Sequence, residues 1–282
     1  MENAFFVVWF GLFGLFIGSL ITHLAYRLPL ILISRWQLAC CPSIVQSLDK
    51  PHPFYLSLFS PSGCPHCHQP LTLASLIPVL SWLYQQGRCR DCHRTIGCTY
   101  PFTELTVALL FMVLASSNQN LLWLIILLMI TCLLITAALI DIAHQLLPDV
   151  LTLPLICSGL IAASLEVSPV TLSTSLAGTL FGYGLLWLPA IVFKGIRKIE
   201  GLGRGDMKLL AGLGAWLGLD ILPIVILVAS VSALLFILIT QRNKKNKNKR
   251  IAFGPFLAFA GWLALLKDPF MIDLSILLQA LL

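Results

Sequence analysis

The sequence predicts an all-α polytopic membrane protein of about eight transmembrane helices, with a small polar insert between the first two. Three observations predict it. Of 282 residues, 58% are hydrophobic and only 11% charged, with a mean hydropathy of +0.92; an ordinary soluble domain carries roughly 25% charged residues. Apolar runs near the ~20 residues that cross a bilayer recur at 5–28, 102–118, 120–140, 150–165, 172–193, 207–219, 221–240 and 252–266. Finally, 17 of the 18 Lys and Arg residues are confined to three loops.

The first run reads as an uncleaved helix. Its head, Met1-Glu2-Asn3-Ala4, lacks a positive n-region, and no small-residue cleavage site follows the apolar stretch. Gly14 and Gly18 form a small-xxx-small pair that lets a second helix approach closely. The fourth, sixth and eighth runs are short. Residues 271–282 are too few to span, and are expected in the interface or against the bundle.

Orientation follows from the basic residues. Six lie between Arg27 and Arg94, five between Lys194 and Lys208, and six between Arg242 and Arg250, leaving Lys267 alone on the other side. Eight spans with the N-terminus outside make all three basic loops cytoplasmic. The run RNKKNKNKR at 242–250 sits directly between two apolar runs. Topology and contact with anionic membrane lipid account for it, and for the net charge of +6, without any nucleic acid.

Roughly seventy residues between the first two runs are polar enough to fold in water. They hold CPHC at 64–67 and CRDC at 89–92, separated by the 21 residues 68–88. Two such pairs make a tetrahedral four-thiolate zinc site from Cys64, Cys67, Cys89 and Cys92, closed and therefore structural. Two disulfides are the competing reading, and they are rare on the cytoplasmic side. His66, His68 and His93 flank the cysteines and are expected to face solvent. Cys40, Cys41 and Cys98 match no pattern, and Cys132 and Cys157 read as small buried hydrophobes.

Carboxylates near a membrane interior are costly, so each is a candidate functional group. Asp141 closes the third run, Asp149 precedes the fourth in Leu-Leu-Pro-Asp, and Asp206 ends Gly201-Leu-Gly-Arg-Gly-Asp206 before the sixth. All three are expected at similar cytoplasmic depth. Asp149 and Asp206 also suit helix N-caps, and Asp141 could simply mark the membrane boundary. The glycines at 201, 203 and 205 permit close approach of an extended peptide. They make no dinucleotide fingerprint, because no strand–turn–helix unit surrounds them.

Taken together, these residues resemble the bacterial type IV prepilin peptidases, over nearly the whole chain. Gly18-Ser19-Leu20 with Tyr26-Arg27-Leu28-Pro29 resembles the family's first-helix signature. The paired cysteine motifs resemble its zinc insert, and Tyr100-Pro101 with Glu104 the start of its second span. DIAHQLLPDVLTLP at 141–154 and GLGRGDMKLLAGLGAW at 201–216 resemble its two catalytic blocks. Phe253-Gly254-Pro255-Phe256 through Gly261-Trp262 resembles its last span.

The resemblance implies an aspartate pair, Asp141 and Asp206, that shares one proton, activates water and cuts the basic leader from a prepilin or pseudopilin. Asp149 is then a supporting or capping residue. It implies a bacterial inner-membrane protein whose active site faces the cytoplasm. It also implies a second activity, methylation of the new N-terminus from S-adenosylmethionine, with Gly87 matching a glycine linked to that step. Two departures bear on methylation: Thr22 stands where the family commonly has Asn, and Ala74-Ser75-Leu76 where it often has Trp-Glu-Asn. The expected organisation is a first transmembrane helix over 1–29, a cytoplasmic zinc-binding insert over 30–101 and a transmembrane aspartyl peptidase domain over 102–282. Two rivals share parts of this pattern. A non-enzymatic zinc-containing assembly or transport component explains the spans and cysteines but not two aspartates at matched depth. An intramembrane aspartyl protease with other substrates would share the chemistry.

Overall fold

The computed structural model describes residues 2–40, 63–64, 67, 69, 78–117, 120–198, 203–240 and 251–266. The expectations for Cys41, His66, His68, Ala74-Ser75-Leu76, Gly201, the basic run at 242–250, Lys267 and the last twelve residues lie outside them. The described residues form helices and no strand, with an isolated antiparallel bridge between Arg88 and Thr95. In chain order the helices are α1 (Glu2–Cys40), α2 (Leu80–Tyr84), α3 (Thr99–Ser117), α4 (Leu121–His144), α5 (Asp149–Ser164), α6 (Leu172–Arg197), α7 (Arg204–Leu217), α8 (Leu222–Thr240) and α9 (Gly254–Leu265). Every apolar run of the sequence lies on one of them.

Five helices, α1, α3, α4, α6 and α8, are long and apolar enough to cross a membrane, which makes this a multi-pass membrane protein. The three other helices that carry apolar runs, α5, α7 and α9, fall short on length. At 1.5 Å per residue the 16 residues of α5, 14 of α7 and 12 of α9 rise about 24, 21 and 18 Å, against a hydrocarbon core of about 30 Å.

The chain divides into two compact units, Met1–Gln119 and Asn120–Leu282. In the first, α1 packs antiparallel on α3 through the expected glycines. A Cβ added at Gly14 would lie 2.8 Å from Ala108 Cα, and one at Gly18 2.7 Å from Glu104 Cα. Such contact lets the two backbones gain dispersion energy where lipid removes the hydrophobic drive between helices. Beyond the apolar run over 5–28, α1 continues as helix through Pro29 to Cys40. Proline forfeits one helical hydrogen bond and is tolerated inside membrane helices where neighbours satisfy the freed group.

In the second unit α7 is the axis. Every residue from Asp206 to Leu217 except Lys208 is buried, and α5, α6, α8 and α9 pack around it. Small residues allow this: Gly214 of α7 meets Gly178 of α6 backbone to backbone, and Gly212 receives the Leu155 side chain of α5. Polar side chains then tie α7 to its neighbours. Ser175 Oγ donates to the Ala215 carbonyl at 2.6 Å, and Trp216 Nε1 donates to the Leu155 carbonyl at 3.0 Å. Trp262 Nε1 of α9 likewise donates to Thr131 Oγ1 of α4 at 3.1 Å.

The ends of α4 set where its carboxylate sits. Asn120 caps the start, its side chain accepting from the N–H groups of Leu122 at 3.0 Å and Trp123 at 3.3 Å. Gln145, left-handed at φ 52°, stops the helix by donating its N–H to the Asp141 carbonyl at 2.8 Å. Asp141 is thereby held in the last turn.

Candidate functional site: an aspartate pair and a four-cysteine cluster

In the first unit, Cys64, Cys67, Cys89 and Cys92 converge, with all four Sγ atoms within 4.8 Å of one another. Each arm is a tight turn. Cys64 N–H donates to the Gln69 carbonyl at 3.1 Å, Cys89 N–H to Arg94 at 2.9 Å, and His93 N–H to Cys89 at 3.0 Å. The Sγ atoms of Cys64 and Cys92 are 3.7 Å apart. That separation matches the edge of a tetrahedron built on Zn–S bonds of ~2.3 Å, about 3.8 Å, and is far from the ~2.05 Å of a disulfide. The four cysteines are free thiols. A backbone donor at Gln69 favours the Cys67 thiolate, but burial and the neighbouring thiols outweigh it and push the group up to about 12. A dication reverses that balance, since thiolates bind where thiols do not. The cluster can hold a metal and is compatible with zinc. His93 is exposed and outside it.

Gly87 precedes the second knuckle at φ +67°, a left-handed conformation in which a side chain is strained. The Trp82 ring lies over it, 2.9 Å from where a Cβ would be. Its N–H donates to Trp82 O at 2.9 Å and its carbonyl accepts from Ile96 N–H at 2.7 Å, while Trp82 Nε1 donates to Ile96 O at 3.3 Å. This gives Gly87 a task in the hairpin that carries Cys89 and Cys92. Gly87→Leu should therefore lower zinc content as well as methylation. Metal analysis of the purified variant checks this; a full zinc complement with methylation lost would assign Gly87 to the donor alone.

The second unit brings two sequence-distant aspartates together. Asp141, in the last turn of α4, is 6% exposed, and Asp206, in the first turn of α7, is 9% exposed. The two carboxyl groups interact electrostatically. Asp141 Oδ2 accepts a buried hydrogen bond from the Gly254 N–H, at the start of α9, at 3.0 Å. Leu147 packs beside both blocks. A Cβ at Gly205 would lie 2.5 Å from Leu147 Cβ, and one at Gly254 would lie 3.1 Å from Leu147 Cδ1.

The capping expectations are corrected. Gly203 is the N-cap of α7 and Pro148 that of α5, so neither Asp206 nor Asp149 caps its helix. Asp149 instead accepts from Lys208 Nζ at 2.6 Å, joining α5 to α7. Both partners are substantially solvent-exposed, at 56% and 32%, and such pairs contribute about 0–1 kcal/mol. Asp149→Asn should consequently lower the cleavage rate less than about fivefold, measured against wild type on one substrate.

Lys208, Leu147 and Gly254 were not singled out from the sequence. The signal for Gly254 was the Phe253-Gly254-Pro255 block, a proline just inside a helix start.

Comparison with known proteins agrees with this geometry. Residues 126–238 match the type IV leader peptidase family, and residues 12–117 match the bacterial peptidase A24 N-terminal domain. The chain is 42% identical over 258 residues to a prepilin leader peptidase/N-methyltransferase of Aeromonas hydrophila, covering 90% of this chain and 88% of that protein. Proteins of the same name from Dickeya chrysanthemi and Pseudomonas aeruginosa are 39% and 38% identical, over 93% of this chain and 94% and 90% of theirs. No solved structure matches. With this identity over nine-tenths of its length, the chain belongs to the type IV leader peptidase family.

Proposed function

We propose that this chain removes the leader peptide from type IV prepilins or type II secretion pseudopilins and methylates the new N-terminus. One observation carries the reading. Two buried carboxyl groups, Asp141 and Asp206, are close enough to interact electrostatically in the unit that matches the leader peptidase family. Burying two carboxyl groups in one helical unit is costly, and such a pair is retained for chemistry, which also disfavours a non-enzymatic assembly component.

Two carboxyl groups this close cannot both ionise cheaply, so they share a proton. The ionised member takes a proton from water, whose oxygen attacks the scissile carbonyl carbon. The protonated member donates to the carbonyl oxygen. Collapse of the tetrahedral intermediate breaks the C–N bond, and the amine leaves with a proton returned by the pair. The proton belongs to the pair as a unit. Gly203 leaves room for the substrate backbone beside Asp206, while the space at Gly205 is taken by Leu147.

The remaining assignments follow the charge pattern and the family. The five long helices cross the bacterial inner membrane, and α5, α7 and α9 enter it within the bundle, where neighbouring helices replace lipid. The basic loops and both sites face the cytoplasm. Zinc held by Cys64, Cys67, Cys89 and Cys92 fixes the fold of the insert and takes no part in either reaction. S-adenosylmethionine, held on the side of the protein around Gly87, would supply the methyl group for the second reaction, in which the new α-amino nitrogen would give up a proton. Reconstituting the protein in lipid vesicles with a prepilin and sequencing the product's N-terminus tests the peptidase. A new terminus at the leader boundary, next to the hydrophobic helix, is expected, and an unaltered terminus would refute it.

A further inference from the structure

The aspartate pair is built from two sequence blocks, but a third element touches it. The N-terminus of α9 reaches Asp141 across 113 residues of chain, with the Gly254 N–H donating to Asp141 Oδ2 at 3.0 Å in a buried setting. The first turn of α9 is arranged so that this donor is the one turned outward. Pro255 has no N–H to offer, and the N–H groups of Phe256 and Leu257 turn back to the Phe253 carbonyl at 3.1 and 3.2 Å. A Cβ at position 254 would lie 2.5 Å from Asp141 Oδ2, 3.2 Å from its Cγ and 3.1 Å from Leu147 Cδ1. Only glycine lets the helix start come this close.

We propose that Gly254 is a positioning residue of the peptidase, its N–H fixing the Asp141 carboxylate so that Oδ1 is the oxygen left to work on water. The inference rests on the aspartate-pair reading above. One oxygen of Asp141 is tied to the positive end of α9, where partial positive charge favours a carboxylate. Asp206 interacts with the same group from α7, so the direction in which Asp141 is held decides whether the two can share a proton. Leu147 fills the space that side chains at Gly205 and Gly254 would need, which keeps both glycine backbones close to the pair. The hydrogen bond sets a direction, and catalysis by a misdirected group falls steeply, by about a hundredfold for a displacement near 1 Å.

The decisive variant removes the donor without adding bulk. Glycolic acid incorporated at position 254 of the full chain replaces the amide N–H by an ester oxygen, and Gly254→Ala serves as the steric companion. For the ester protein, kcat for leader cleavage should fall about 10- to 100-fold, while KM for the prepilin stays within about twofold of wild type. Zinc content and methylation of an already cleaved pilin should be unchanged. Gly254→Ala should lose at least as much kcat. An ester protein with wild-type kcat, or one whose KM rises in step with the loss, would overturn the inference. A wild-type protein that cuts no prepilin would instead refute the function itself, which keeps the two failures distinct.

Discussion

Asp141→Asn and Asp206→Asn are each expected to reduce leader cleavage by three or more orders of magnitude, about the loss when one member of a catalytic unit is removed. Asparagine keeps the size of aspartate and the ability to accept the Gly254 hydrogen bond, but it cannot hold or pass the shared proton. The doubly substituted protein should be no worse than either single one, because residues acting as a unit are not additive. Stability should move the other way. Both carboxyl groups are buried and repel each other when ionised, so a neutral amide relieves a cost and Tm should hold or rise. Cleavage rates and thermal unfolding, measured on the same preparations, check both halves. A variant that loses activity together with its helical fold would mean the aspartates are structural.

The second large effect is at the cysteine cluster. Wild-type protein is expected to carry about one zinc per chain, and Cys64→Ser or Cys89→Ser to carry essentially none. Structural zinc contributes on the order of 10–16 kcal/mol in small domains. Cys64 and Cys89 are the two buried members of the cluster, 7% and 5% exposed. Without the ion, the short α2 and the Trp82–Gly87 hairpin have too little apolar area to fold alone, so the methyl transfer assigned to that region should be lost. Cleavage should fall much less, because Asp141 and Asp206 belong to the other unit. Metal analysis with paired assays of both activities reads this directly. Zinc-free protein with full methylation would remove the metal from the account.

Much of this was readable in advance, for physical reasons. Apolar runs had to become helices because lipid leaves backbone groups no other partner, and each of the eight is a helix. Cys64-x-x-Cys67 and Cys89-x-x-Cys92 declared their geometry through spacing, since a knuckle is a local turn. Gly14 and Gly18 announced a close approach, which Ala108 and Glu104 of α3 supply.

What stayed hidden depends on contacts between distant residues. Nothing in the sequence near Asp149 points to Lys208, 59 residues away, so a local capping preference looked sufficient. Gly254 bonds Asp141 from 113 residues on. The apolar content of α7 suggested one more membrane run, and only the packing of its glycines against α5 and α6 makes it the buried axis of a unit. The division of the chain after α3 follows from the same cause. A helix joins the partner its small residues fit, and α3 fits α1.

The central claim is that this protein cuts prepilin leaders and methylates what remains, and the mass of the product tests it most directly. Purified protein in lipid is incubated with a full-length prepilin, with and without S-adenosylmethionine, and the pilin is weighed. The account predicts a product lighter by the leader in both samples, and heavier by one methyl group only where the donor is present. A bare mature pilin in both samples would make this a peptidase alone. A prepilin recovered at its full mass would contradict the account.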